Sequence, residues 1–493
     1  MRKTITGLLS LAALTSLVTP ALATESDGHA PSTGSAATAD IRSRLLAVPG
    51  MRLIEERPFP QHRLFVLGYT QPVDHRNPDR GTFEQRLTVL HRDTSRPTIF
   101  HTSGYGLFEP ALRSEPARIV DGNQISLEHR FWGPSRPDPA DPDVLTIRQA
   151  AADQHRVFTA LRTVYDRKWI STGNSKGGMT ATYYERFYPS DMDAVVAYVA
   201  PNDVDDREDS AYTRFFQTVG TAQCRDRLKE IQRQALARRG ALLELLTADA
   251  AARGATFRQV GGADRALEAG IQEAPWVYWT ESNRQACETL PDPKPLSDQA
   301  LYDTVNAIAS PLEFSDQGLV DGYAYQYQAG TELGSPTVEQ PHLAGLLRYA
   351  PLTPRDLAPR EYPMTFRAGA MKDIDRFVRN SARRMLFVNG ANDPWGAEPF
   401  RLGPGARDSY VLTAPGGDHL THIEHLSPAD RALATATVLR WAGVAPDAVR
   451  KDPSKAAPLG RFDARLDRRE AGTATDAGAL GGPNRPAGAP GRG

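Results

Sequence analysis

Cysteine is nearly absent: among 493 residues only Cys224 and Cys287 occur. There is no C-x-x-C pair, which excludes a dithiol redox motif and a zinc knuckle of the usual spacing. An excess of charge of one sign is also lacking. Lys and Arg number 58 against 59 Asp and Glu. No net field therefore draws the chain to nucleic acid or to an anionic membrane, and no basic stripe with interleaved aromatics is found. Neither zinc-protease helix motif occurs, so neither a metal nor a cofactor is expected. Long apolar runs are missing too. The longest, LLSLAALTSLV at 8–18, is too short to span a bilayer comfortably.

That run instead fits a secretory signal. Arg2 and Lys3 precede it and Ala21-Leu22-Ala23 offers a small-x-small cleavage site, so residues 1–23 are expected to be removed and the chain exported. After cleavage no membrane association is expected. Residues 24–40 are small and polar, a linker or propeptide, and 448–493 form a tail that reads as disordered from about residue 470. In an oxidising exterior an even cysteine count favours a Cys224–Cys287 disulfide over two free buried thiols.

The remaining length suggests two units or one domain with an insertion. Apolar runs at 64–67 and 87–90 suit an antiparallel hairpin, followed by strands at 98–100 and 125–127. Strands and helices then alternate. Val157, Phe158, Leu161 and Tyr165 share a helical face, 169–172 is a strand, 177–188 a helix, and 194–199 an almost wholly apolar strand. That alternation predicts a doubly wound α/β sheet. From 203 to 379 the pattern turns helical, and alternation resumes with strands at 385–388 and 410–412. A closing helix has Ser427 as N-cap and an apolar face of Leu433, Val438 and Trp441. The expected layout is a sheet domain in two parts, 41–202 and 380–447, with 203–379 inserted as a helical cap that the disulfide would staple.

Gly173-Asn174-Ser175-Lys176-Gly177 fits G-x-S-x-G directly between a strand and a helix. A nucleophilic serine needs that tight turn to expose its hydroxyl above the sheet, with the helix N-terminus near the developing oxyanion. The bland alternative is a helix-capping serine. Serine is a weak nucleophile at neutral pH and needs a histidine base oriented by an acid, in chain order Ser, Asp or Glu, His. Asp393 follows one late strand and His419 the next. Asp418 is a rival acid, and His422 and His425 make a metal cluster the alternative reading. Oxyanion donors are expected from the amide of Lys176 and from the loop HTSGYGL, at Gly104 and Tyr105.

The stretches WISTGNSKGGMTATYYERFYPSDMDAVVAYVAPND, NQISLEHRFWGPSRP, LTIRQAAADQHRVF, YQYQAGTELG and NGANDPW together resemble the secreted tripeptidyl aminopeptidases of actinobacteria, of prolyl tripeptidyl aminopeptidase type. More distantly the chain is similar to the lysosomal Pro-X carboxypeptidase and dipeptidyl peptidase group, without that group's many cysteines. The resemblance runs from about residue 50 to 445. It implies an α/β-hydrolase fold with a helical cap, and release of short peptides, tripeptides first, from free N-termini with proline before the cleaved bond. Peptides are then the expected partners; oligomeric state stays open. Such an enzyme needs a carboxylate for the substrate ammonium, at Glu332 or Asp203, and an aromatic slot for proline, at Trp395 or Tyr105. The aromatics of WVYW at 276–279 are expected to pack in the core or lid. A secreted esterase or lipase would share the whole triad. A binding protein on a degenerate hydrolase scaffold would not keep it intact.

Overall fold

The computed structural model describes residues 40–108, 111–281 and 287–445. The expected signal segment, nearly all of the expected linker and the 448–493 tail lie outside the described residues. Nine strands form one sheet: β1 (Met51–Phe59), β2 (His62–Pro72), β3 (Thr82–His91), β4 (Thr98–Thr102), β5 (Asn123–Leu127), β6 (Trp169–Asn174), β7 (Ala194–Tyr198), β8 (Met385–Gly390) and β9 (Tyr410–Ala414). Their spatial order is β1-β2-β3-β5-β4-β6-β7-β8-β9. The first three and the β3–β5 pair run antiparallel, and every neighbour from β5 to β9 is parallel. This is the α/β-hydrolase arrangement. The expected β2–β3 hairpin is present. β1, which no apolar run announces, covers it as a half-exposed edge strand with a bulge between Leu53 and Glu55.

Central strands are apolar on both faces because helices cover both. Val195 and Ala197 of β7, with Met385 and Phe387 of β8, pack on Met371, Ile374 and Val378. The intervening Ala194, Val196, Leu386 and Val388 pack on Val438 and Trp441, as the two-residue period of a strand requires. Two short helices, α1 (Ile41–Leu46) and α2 (Glu115–Val120), precede α3 (Ile147–Leu161) and α4 (Lys176–Phe187). After β7 come α5 (Ser210–Thr218), α6 (Ala222–Ala237), α7 (Arg239–Arg253), α8 (Ala263–Thr280), α9 (Asp298–Ile308), and the short α10 (Asp316–Leu319), α11 (Tyr323–Gln328) and α12 (Pro354–Leu357). No strand interrupts them among the described residues. They enclose a separate core around Leu228, Leu242, Leu267 and Leu301. α13 (Gly369–Ser381) returns to the sheet: its apolar face is the Met371–Ile374–Val378 stripe just named. The sheet layer therefore resumes before residue 379.

Cys224 and Cys287 are joined, with Cα atoms 5.4 Å apart. The bond ties α6 to the segment after α8; in the chain-entropy model a loop this long contributes a few kcal/mol. Pro275 lies inside α8 and so leaves the Ile271 carbonyl without its helical donor. The buried amide of Gln232 takes that place, Nε2 to O at 2.7 Å. The closing helix α14 (Pro428–Trp441) starts as expected, Ser427 Oγ accepting from the Asp430 amide. Its buried face is rotated, however: Leu433 is 42% exposed, while Ala434, Thr435, Val438 and Trp441 are buried.

Glu185 of α4 is buried with an unpartnered Oε2. Burial, then Asp191 and Asp193, push its pKa up to about 8. The folded state thus holds a proton that the unfolded chain releases near pH 4.5, so stability should fall as pH rises from about 4.5 to about 8 and level off above. Glu185→Gln should leave stability near pH 4.5 close to that of the parent and raise it by a few kcal/mol at pH 8 to 9. Thermal melts across that range check this; parallel curves for parent and variant would refute it.

Candidate active site

β6 runs into α4 through Ser175, whose backbone adopts φ 55° and ψ −125°. A non-glycine residue held there costs roughly 1–3 kcal/mol, and such strain collects at functional turns. The turn is fixed by Ser175 N donating to the Tyr198 carbonyl and by Met179 N donating to the Ser175 carbonyl, at 2.9 and 3.0 Å. Gly177 is needed for close approach: a Cβ there would stand 2.2 Å from the Thr102 carbonyl oxygen of β4. Ser175 is therefore no helix-capping serine in this fold, since its side chain makes no cap bond.

Asp393 and His419 follow β8 and β9, so all three residues sit at carboxyl ends of strands in one parallel set. His419 Nδ1 lies 2.9 Å from Asp393 Oδ2. The other oxygen, Oδ1, accepts the Trp395 amide at 3.0 Å. Asp393 is 1% exposed, and both its oxygens are employed. A neutral imidazole donating from Nδ1 leaves Nε2 as the acceptor, which is the state a general base needs. The rival Asp418 is turned into its own loop, Oδ1 accepting the Leu420 amide. His422 and His425 do not converge with His419 on a common point. His422 Nε2 meets Asn174 Nδ2 at 2.9 Å, steadying the residue before Ser175, and His425 Nδ1 accepts the His422 amide.

The oxyanion loop departs from expectation. The Gly104 amide donates to Thr102 Oγ1 and the Tyr105 amide to Ser103 Oγ, both at 3.0 Å. Both donors are engaged inside the loop, which leaves the Lys176 amide, first in α4, as the donor of the expected set that the helix itself cannot satisfy. Hydroxyl-capped turns of this kind leave little trace in a sequence beyond the Thr and Ser themselves. Gly104, at φ +78°, instead packs against the start of α4, and its carbonyl accepts from Lys176 Nζ at 2.6 Å. That ammonium is buried over the rings of Tyr105 and Trp132, 5.2 and 4.6 Å away. Burial alone lowers its pKa well below that of an ordinary lysine. Lys176 thus braces the loop to the nucleophile turn with its side chain, a role the sequence did not disclose.

The two carboxylates expected near the substrate separate sharply. Glu332 Oε2 accepts the Ile147 amide at the start of α3 (2.8 Å) and Oε1 faces Arg367 Nη1 (3.2 Å). It is a helix-end support, although burial raises its pKa against those two partners. Asp203, beyond the end of β7, is buried with both oxygens unpartnered. Burial, followed by Asp206, Glu398 and Asp209, pushes its pKa up to about 8. Trp395 does stand at the site, its ring 6.2 Å from that of His419 and 4.8 Å from Trp276. Trp276, expected to serve packing, is thereby brought to the site, whereas Tyr278 and Trp279 are core. Tyr105 lies 5.6 Å from Trp132 and 6.1 Å from Tyr325.

Some of the sequence stretches that looked most distinctive are scaffold. Arg130 of NQISLEHRFWGPSRP makes a buried two-bond pair with Asp153 of LTIRQAAADQHRVF, both bonds 2.7 Å. Glu128 accepts from Ser135 Oγ, Arg86 and the Leu107 amide. These bonds fix the loop after β5 on which Trp132 is carried.

A family model described as PS-10 peptidase S37 matches residues 34–476. A protein of Streptomyces mobaraensis named prolyl tri/tetrapeptidyl aminopeptidase is 52% identical over 471 residues, 95% of this chain and 98% of its own. The thymus-specific serine protease of Mus musculus is 35% identical over 148 residues, 27% of this chain and 29% of its own. Among solved structures, proline iminopeptidase of Mycobacterium smegmatis aligns at 16% identity with a TM-score of 0.34, covering 79% of this chain and 98% of that one.

Proposed function

Because the chain belongs to the peptidase S37 family and is a serine peptidase, we propose that it is an exported aminopeptidase that releases tri- or tetrapeptides, with proline before the cleaved bond, through an acyl-enzyme on Ser175. The observation that carries the substrate class is the 52% identity, across almost the whole of both chains, to a protein named for that activity. In this reading Ser175 Oγ attacks the carbonyl carbon of the scissile bond and its proton passes to His419 Nε2. Asp393 holds the imidazole in the accepting tautomer and offsets its charge once protonated. The oxyanion is received by the Lys176 amide at the positive end of α4. His419 then gives its proton to the departing amine, and water repeats the sequence to free the short peptide. Trp395, backed by the tilted ring of Trp276, supplies an apolar surface beside His419 suited to a proline ring. The helical segment between β7 and β8 acts as a cap over the strand ends.

The secreted esterase is the reading to beat, since it would use the same three residues. A tripeptide ending in proline and carrying a chromogenic anilide should be turned over readily by the purified protein. Anilides left intact while short-chain aryl esters are consumed would establish the esterase instead.

A further inference from the structure

Helix α8 ends at the catalytic loops, and the bonds it makes there close a circuit. Thr280 is its last residue, so its carbonyl is one of those that a helix end leaves without an internal donor. The His419 amide donates to it at 3.1 Å. The Thr280 hydroxyl donates to the Trp276 carbonyl one turn back, at 2.8 Å. With its single proton committed there, the oxygen faces Trp395 as an acceptor. The indole Nε1, which can only donate, meets it at 3.1 Å. The backbone amide of the same Trp395 donates to Asp393 Oδ1, and Asp393 Oδ2 faces His419 Nδ1. Thr280, His419, Asp393 and Trp395 thus form a closed hydrogen-bonded ring. Asp393 and Trp395 come from the turn after β8 and His419 from the loop after β9, whereas Thr280 comes from the helical segment between β7 and β8.

The two sheet loops are already tied near their bases, where the Asn392 amide donates to the Gly417 carbonyl at 2.7 Å. Thr280 ties them a second time, at the residues that handle the proton. It grips the acid turn through the Trp395 indole, whose ring also lies 4.8 Å from that of Trp276, and it grips the base loop at the backbone of His419 itself. Catalytic geometry is sensitive to such support: a misplacement of about 1 Å can cost about 100-fold in rate.

We propose that Thr280 is a positioning residue for the triad: from the end of α8 it holds the acid turn and the base loop in register, so that the seating of this helix sets the reactivity of Ser175. The inference rests on the triad reading above and adds the residue that aligns it. Thr280 acts through Trp395 and His419 and takes no part in bond making.

The test follows the rate at which a fluorophosphonate labels Ser175, a reaction that uses the triad but no peptide, in Thr280→Val, Thr280→Ala and Thr280→Ser. Thr280→Val keeps the shape and removes the hydroxyl, so labelling should slow about 10-fold, and Thr280→Ala should do the same. Thr280→Ser keeps the hydroxyl and should label within about twofold of the parent. On a proline-ending tripeptide anilide, Thr280→Val should lose the same factor in kcat with KM nearly unchanged. Added to Asp393→Asn, Thr280→Val should slow labelling by less than about twofold further, because the pair that it aligns is already broken. Labelling at the parent rate in both Thr280→Val and Thr280→Ala overturns the assignment, as does a Thr280→Ser rate as slow as theirs. A full 10-fold further loss on the Asp393→Asn background overturns it too, since a merely structural role acts on either background. If Thr280→Val does not fold, Thr280→Ala carries each comparison. Asp393→Asn labelling at the parent rate would overturn the triad reading, and the assignment with it. The expected labelling pattern in a protein that leaves the anilide intact would uphold the assignment and overturn the aminopeptidase reading alone.

Discussion

Ser175→Ala is expected to lower kcat on a proline-ending tripeptide anilide by about four to six orders of magnitude and to abolish fluorophosphonate labelling. On the proposed mechanism the hydroxyl forms the acyl bond, and what would remain is catalysis by binding and by an amide donor at Lys176. The loss should fall on kcat, with KM nearly unchanged, because Oγ makes no bond that holds the turn. Circular dichroism and the melting temperature should match the parent, because alanine keeps the φ of 55° that Ser175 already endures. Ser175→Gly should be equally inactive but more stable by about 1 kcal/mol, since glycine accepts that φ without strain. Labelling that persists in Ser175→Ala would remove Ser175 from the nucleophile's role.

Asp393→Asn should cost nearly as much, about four orders of magnitude in kcat. The substitution is isosteric, and its remaining oxygen can still accept the Trp395 amide that Oδ1 accepts now. An NH2 group where Oδ2 stands cannot accept from His419 Nδ1, now 2.9 Å away. The imidazole would be driven to the opposite tautomer, with its proton on Nε2 and no capacity to receive one from Ser175. KM should again move little. Asp418→Asn should spare the chemical step, because Asp418 serves its own loop through Leu420. Steady-state kinetics on the two variants side by side separate the acids; a larger loss from Asp418→Asn would exchange their roles.

Much of this site could be read from the chain because its signals are local. A serine between two glycines, with a strand before and a helix after, announces its turn within about a dozen residues. Chain order then picked out Asp393 and His419, each a few residues past a late strand, as candidates for the acid and the base. What the sequence withheld depends on distant partners. Glu332 and Asp203 look alike as carboxylates in polar loops, yet one is matched by an amide 185 residues away and the other by nothing. Leu433 fits an apolar stripe by spacing, but α14 turns a row of small residues, Ala434 and Thr435, to the sheet instead. β1 was missed because an edge strand needs only one covered face, and MRLIEERPF breaks its apolar residues with a run of three charged ones, Glu55, Glu56 and Arg57.

The central claim, that this serine peptidase removes short peptides from free N-termini, is tested most directly by the products of one long peptide. A synthetic substrate with proline third from a free N-terminus should yield its N-terminal tripeptide as the first product, identified by mass. The same peptide acetylated at its N-terminus should remain intact over that time. Internal fragments from the free peptide, or equal cleavage of the acetylated one, would contradict the account and leave an endopeptidase in its place.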